Sequence, residues 1–178
     1  MEIEQRLVEP LAGFSREIGY YLASWQFGRE QTRELLKDLT PEEIAKRYLP
    51  EMHSIGALAA HLGECEYWYL QSIARDRELT EEEIKFCHFC DTTENDIDRG
   101  YTAEYLIGTL DAISAKNMEF LAALTDDDLD KFHLRTDVTP PRELSLRWML
   151  QLSIDHEAHH RGQISMIKRL IRGGEMAS

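Results

Sequence analysis

A chain of 178 residues, 43% hydrophobic and 30% charged, is long enough for one folded core and short for two, so residues 1–178 are expected to form a single domain. Its 33 acidic against 20 basic side chains give a formal charge of −13, a field that repels phosphate backbones and argues against nucleic-acid binding. No stretch approaches the roughly 18 apolar residues of a membrane span. The first residues lack the basic-then-apolar order of a signal peptide, and three cysteines make no disulfide framework. A cytoplasmic protein without nucleic-acid or membrane partners is expected.

Helical periodicity dominates four long segments. Pro10 can open the first at its N1 position, with apolar residues at Leu11, Phe14, Ile18, Tyr21 or Leu22, and Trp25. Thr40-Pro41-Glu42-Glu43 reads as a capping box that starts a short connecting helix. Ser54 caps the second long helix, whose stripe is Ile55, Leu58, Leu62, Cys65, Tyr69 and Ile73. Thr102 caps the third, with Leu106, Leu110, Ile113, Asn117, Phe120 and Leu124 spaced 4-3-4-3-4. Asn117 there is either a buried polar group with a partner or a register device. Ser145 caps the fourth, which runs to the Gly173-Gly174 stop.

No alternating run competes as a sheet. Four amphipathic helices can bury their stripes only against one another, so the expected fold is all-α: an antiparallel four-helix bundle. Its long connections join helices two and three (about residues 75–101) and three and four (about 125–144). Both carry short helical signals, at Thr80-Glu-Glu-Glu83 and Thr125-Asp-Asp-Asp128. The late basic residues Arg161, Lys168, Arg169 and Arg172 read as complements to the negative end of the last helix.

On a wheel of about 100° per residue with His156 at zero, the core-facing side of the fourth helix runs from about −40° to +80°. Met149, Leu152, Ile164 and Ile167 lie on it, and so do His156, His160 and Gln163. Imidazoles at i and i+4 share a face and can converge on one ion at about 2.0–2.1 Å. His61, beside the second stripe, is the expected third ligand. Three histidines leave a coordination position free, the pattern of a catalytic site. His159, near −60°, is either a supporting residue or rim; His53 and His133 read as exposed polar residues. Leu150 and Ile154, near 120° and 160°, look exposed on the polar face and suggest a homodimer.

Two rival motifs overlap these residues. His156-Glu157-Ala158-His159-His160 spells H-E-x-x-H, in which Glu157 would be the general base of a metallohydrolase. The downstream ligand that motif needs is missing: Gln163 stands at the glycine position of the longer form, and only Glu175 follows. Cys87-His88-Phe89-Cys90 is a lone C-x-x-C pair, without the second pair of a structural zinc site.

The segment Ser54-Ile-Gly-Ala-Leu-Ala-Ala-His61-Leu-Gly-Glu-Cys-Glu66, then Ser145-Leu-Arg-Trp-Met-Leu150 and His156-Glu-Ala-His-His-Arg-Gly-Gln-Ile164, resembles the DinB/YfiT-like superfamily. The likeness covers nearly the whole chain in helix order, and its most specific element is His-x-x-x-His-Arg-Gly-Gln. It implies a four-helix bundle, often homodimeric, with a metal triad at His61, His156 and His160 holding zinc, nickel or iron. It also implies activation of a low-molecular-weight thiol, such as bacillithiol or mycothiol, for transfer to an electrophile. Gln163, His159 and Glu157 are then the candidate catalytic groups. The competing expectation is a metal-binding or stress-related module without turnover, its shell closed by Glu64 or Glu157.

Overall fold

A computed structural model describes residues 7–87 and 100–174 of the chain. Its main elements are α1 (Arg16–Leu36), α2 (Pro41–Ala45), α3 (Ile55–Gln71), α4 (Glu81–Cys87), α5 (Ala103–Ala122), strands β1 (Phe132–Arg135) and β2 (Arg142–Ser145), and α6 (Leu146–Gly174). Single 3-10 turns occupy Ile73–Arg75 and Asp126–Asp128.

Most helix starts follow local chemistry. Thr40 and Glu43 exchange two hydrogen bonds, at 2.9 and 3.2 Å, and close the capping box of α2. Ser54 Oγ accepts from the Ala57 amide at 3.1 Å, Thr102 Oγ1 from Tyr105 at 3.1 Å, and Ser145 Oγ from Trp148 at 3.2 Å. The first helix departs from expectation: it begins at Arg16 rather than Pro10. The chain bends at Gly13, whose φ of +90° belongs to glycine. The free amides of the first turn are then satisfied from afar. Asp126 Oδ1 accepts from Ser15 Oγ (2.6 Å), Glu17 N (2.9 Å) and Ile18 N (3.2 Å). The Ser15 bond and those two amides hold the Asp126 carboxyl below its ordinary pKa.

The second departure is the antiparallel hairpin, paired Phe132 to Ser145 and Leu134 to Glu143. Each strand has four residues and β1 leaves Phe132 and Leu134 exposed, so no apolar-in pattern marks it in the sequence.

Residue pairs fix how the four long helices run. Glu17 meets Arg147, Arg29 meets Glu157 and the Leu35 carbonyl meets Lys168, so α1 and α6 are parallel. Gly63 lies against Leu110 and Ile113, and Gln71 Nε2 donates to Asn117 Oδ1 at 3.0 Å, so α3 and α5 are parallel too. A Cβ at Gly63 would stand 2.7 Å from Ile113 Cδ1, so the two helices cross closely here. The expected antiparallel order holds for α1 with α5 (Arg33 to Asp111) and α3 with α6 (His61 to His156, Tyr69 to Trp148). The connection lengths carry the reason. With α3 and α5 pointing the same way, the chain must travel back the length of α3, about 25 Å for its 17 residues, before α5 begins.

Two apolar clusters flank a polar layer. One gathers Leu36, Leu58, Leu62, Leu110, Ile164 and Ile167; the other gathers Ile18, Leu22, Trp25, Leu121, Met149 and Leu150. Leu150 is thus 2% exposed and offers no free surface for a dimer, while Ile154 is half-buried against the same cluster. The wheel assumed one apolar stripe, whereas α6 packs against α1 on one flank and α3 on the other. For the same reason three of the late basic residues serve α1 rather than their own helix end. Arg161 donates to the Gly28 carbonyl at 3.3 Å and Lys168 to the Leu35 carbonyl at 2.8 Å. Arg172 reaches the Asp38 carbonyl at 3.0 Å and Glu43 at 2.6 Å. Lys168 and then Arg172 hold Asp38 down to about 2.

Asn117 is the buried polar group the sequence offered, its amide oxygen taken by Gln71. Cys87 is buried beside Tyr67 and Ile113; Cys90 and His88 lie outside the described residues, and so does Glu175.

Candidate metal centre

The three histidines meet although His61 and His156 are 95 residues apart. Their Nε2 atoms are 3.2 Å apart, and His160 Nε2 is 3.0 Å from His156 Nε2. The rings stand edge to face with centroids 4.4–5.1 Å apart. Ligands about 2.05 Å from a tetrahedral ion lie about 3.3 Å from one another, close to the two separations at His156, and imidazole is a donor that suits a divalent transition metal.

Gln163, one turn on from His160, settles that ring's orientation. His160 Nδ1 donates to Gln163 Oε1 at 2.6 Å, which leaves its Nε2 as the lone-pair nitrogen facing His156. The Gln163 amide oxygen is thus engaged by a neighbouring histidine. His159 is exposed, its ring 4.9 Å from that of His160, and His53 is exposed nearby. His133 is half-buried, not exposed, with Nδ1 3.0 Å from Asp76 Oδ2.

Burial, and then the neighbouring histidines, push His61 and His156 below the ordinary imidazole range, His156 to about 3. His160 is lowered by burial against the opposing pull of Gln163. Protons compete with a metal only below these lowered values. Metal occupancy is therefore expected to persist at about pH 6.5, the ordinary imidazole value, and to be lost only at lower pH as the lowered imidazoles take their protons. Occupancy measured by dialysis against buffered zinc should show this; loss already at pH 6.5 would contradict it.

The sequence reading counted Cys65 as an apolar stripe residue, yet it sits one turn from His61. His61, Cys65 and His156 offer donor atoms within 4.8 Å of one another, the group of this kind found among the described residues. This set shares His61 and His156 with the expected triad and has Cys65 in place of His160, whose ring centroid lies 5.1 and 4.4 Å from theirs. Cys65 Sγ is 3.6 Å from both ring nitrogens of His61, a separation that two ligands of one ion can have. Burial, and then Glu64 and Glu66, push the Cys65 thiol up to about 12, so it carries its proton at neutral pH. The i, i+4 spacing from His61 was the available signal.

Glu157 does not serve the histidines. Its Oε2 accepts from Arg29 Nη2 (2.8 Å) and Nε (3.2 Å), and its Oε1 accepts from the Thr32 hydroxyl. Arg29 Nη2 also donates to Glu66, whose Oε1 takes the Trp25 indole N–H at 2.8 Å. Arg29, Glu66 and Glu157 are 3%, 2% and 1% exposed. Burial opposes the charge on Arg29, but Glu66 and Glu157 raise its pKa above the ordinary value. Burial lifts Glu66 to about 8, Arg29 pulling it back and Glu157 pushing it further. Glu66 thus holds its proton to higher pH than an ordinary carboxyl.

A mostly helical chain with three imidazoles converging between two of its long helices defines a recognisable class. The chain belongs to the DinB superfamily, whose family model matches residues 24–164. Similar folds are a DinB-like protein from Bacillus cereus (22% identity, TM-score 0.62, 85% of this chain and 91% of that one) and a conserved protein from Enterococcus faecalis (21%, 0.63, 86% and 95%). A DinB-like protein from Bacillus subtilis is also similar (21%, 0.58, 89% and 92%). No functionally curated protein matches the chain.

Proposed function

We propose that the chain is a metal-dependent enzyme holding one divalent ion on His61, His156 and His160, zinc or nickel before iron, and acting on a low-molecular-weight thiol in an S-transferase type of reaction, or on water. The observation that carries this is the approach of the three Nε2 atoms, at 3.0 and 3.2 Å around His156, with Gln163 fixing the tautomer of His160. Bound there, the ion would lower the pKa of a thiol or water at its remaining position. The chain's residues supply the rest. The three rings are half-buried rather than sealed, which leaves a side for a small molecule, and His159 is exposed at that edge. In this reading the long helices form one four-helix-bundle domain, and the protein is a cytoplasmic homodimer that associates through a surface other than Leu150.

A non-catalytic metal module is the second reading, and Cys65 is the observation that favours it. A thiol beside the triad offers a fourth donor and a shell closed to substrate, in place of Glu64 or Glu157. The H-E-x-x-H hydrolase is disfavoured because both oxygens of Glu157 are held by α1.

Elemental analysis of protein purified without chelators or a histidine tag tests the centre. His61→Ala and His160→Ala are expected to stay folded and to lose most of the metal; stoichiometric metal in His61→Ala would sink the triad. Cys65→Ser is expected to keep it. A panel of cellular thiols offered with a reactive electrophile then separates the readings. Thiol consumption by the metal-loaded protein, lost in His61→Ala, supports the enzyme, and no turnover with any metal favours the module.

A further inference from the structure

Arg29 has five N–H donors, and every one of its partners except α1 itself is on another long helix. Nε and Nη2 bind Glu157 of α6, and Nη2 also binds Glu66 of α3. Nη1 binds the Leu110 carbonyl at 3.3 Å and Ser114 Oγ at 3.1 Å, both on α5. Two further bonds brace the carboxylates from α1: Thr32 to Glu157 and Trp25 to Glu66. One guanidinium thus ties the other three long helices together at mid-height.

Glu157 directly follows His156, and Glu66 lies five residues after His61. On a helix each residue is turned about 100° from the last, so fixing where Glu157 points also fixes where His156 points. The same holds for Glu66 and His61, about 140° apart. An imidazole nitrogen lies about 6–7 Å from its helix axis, so a roll of only about 10° displaces it by about 1 Å. That is a third of the 3.0 Å between His156 and His160, and about twice the roughly 0.5 Å within which such constellations must be held.

We propose that Arg29, by binding Glu66 and Glu157, sets the roll of α3 and α6 and so brings His61, His156 and His160 to a common point. Arg29, Glu66 and Glu157 are positioning residues of the metal centre, an assignment that rests on the metal-site reading above. A purely structural role for these residues would lower stability and leave the centre unchanged in any variant that still folds.

The test uses the full chain loaded with Zn²⁺ or Co²⁺ alone. In the triple variant Arg29→Met, Glu66→Leu, Glu157→Leu, apolar side chains replace the whole ionic cluster, an exchange that often preserves stability. Its metal affinity is expected to fall roughly 10- to 100-fold, the usual effect of losing outer support for ligands. The visible bands of bound Co²⁺, which report ligand geometry, should shift as well. Leu121→Ala, in the far apolar cluster, is the control: it loses stability and keeps the wild-type affinity and spectrum. Wild-type affinity and spectrum in a folded triple variant would overturn the proposal. Should the triple variant not fold, Arg29→Lys keeps the charge and loses the fork that binds Glu66 and Glu157 together. It is expected to weaken zinc binding severalfold and shift the Co²⁺ bands, and an unchanged centre there overturns the proposal equally. A wild-type protein that binds neither ion would instead overturn the metal-site reading, and the clamp with it.

Discussion

Replacing Arg29 by Ala is expected to destabilise the protein by about 3–5 kcal/mol, the usual result of removing one partner from a buried ion pair. The guanidinium binds two carboxyl groups, and its loss leaves Glu66 Oε1 and Glu157 Oε2 facing each other across an emptied space. Leu110 O and Ser114 Oγ lose their donor as well. Urea unfolding at neutral pH reads the loss directly. The deficit should shrink as the solution is acidified, because two carboxyls without a cation are better tolerated when protonated. A loss below about 1 kcal/mol, the level of an exposed pair, would show that the cluster carries no such burden. The wild type has its own dependence. Glu66 holds a proton in the fold up to about 8 and gives it up in the unfolded chain near its ordinary 4.5. Its contribution is thus fully present below about 4.5 and is lost as pH rises through about 8. Glu66→Gln should flatten that limb.

Leu150→Glu should unfold the chain rather than change its oligomeric state. Leu150 is buried in the apolar cluster that holds Trp25, Leu146 and Met149. Truncation to Ala would already remove about 2–5 kcal/mol, and a buried carboxylate adds its desolvation. For a domain stable by about 5–15 kcal/mol in total, that is most of the margin. Circular dichroism and sizing distinguish the outcomes. A variant that keeps its helical signal and only changes its elution mass would return Leu150 to the surface.

What the sequence disclosed, and what it concealed, divides by the range of the interactions. Thr40, Ser54, Thr102 and Ser145 bond to amides three residues away, so their helix starts could be read from a few letters. The start of α1 could not, because its cap is Asp126, 111 residues from Ser15. The histidines were legible through i, i+4 spacing on one face, together with the family likeness. The wheel failed for Leu150 because it knew of one neighbouring helix where there are two. Arg29 was within reach. Ile18, Leu22, Trp25, Arg29, Thr32 and Leu36 repeat at 4-3-4-3-4 and all are buried, so an arginine stood in a core position without being noticed. Its partners, Glu66 and Glu157, lie 37 and 128 residues away and no local pattern connects them.

The polar layer between the two apolar clusters has a consequence along the helix axes. Leucines that recur every three or four residues are nearly interchangeable, so a helix slid by one turn, about 5.4 Å, could still find apolar partners. Arg29 and Glu157 have no such freedom. The slide would carry the guanidinium to the level of Trp25 or Thr32, away from Glu66 and Glu157, and leave both charges dry and unpaired. The layer acts as a vernier: it makes one longitudinal setting of the four helices acceptable and its neighbours forbidden, a discrimination the apolar clusters alone would not supply.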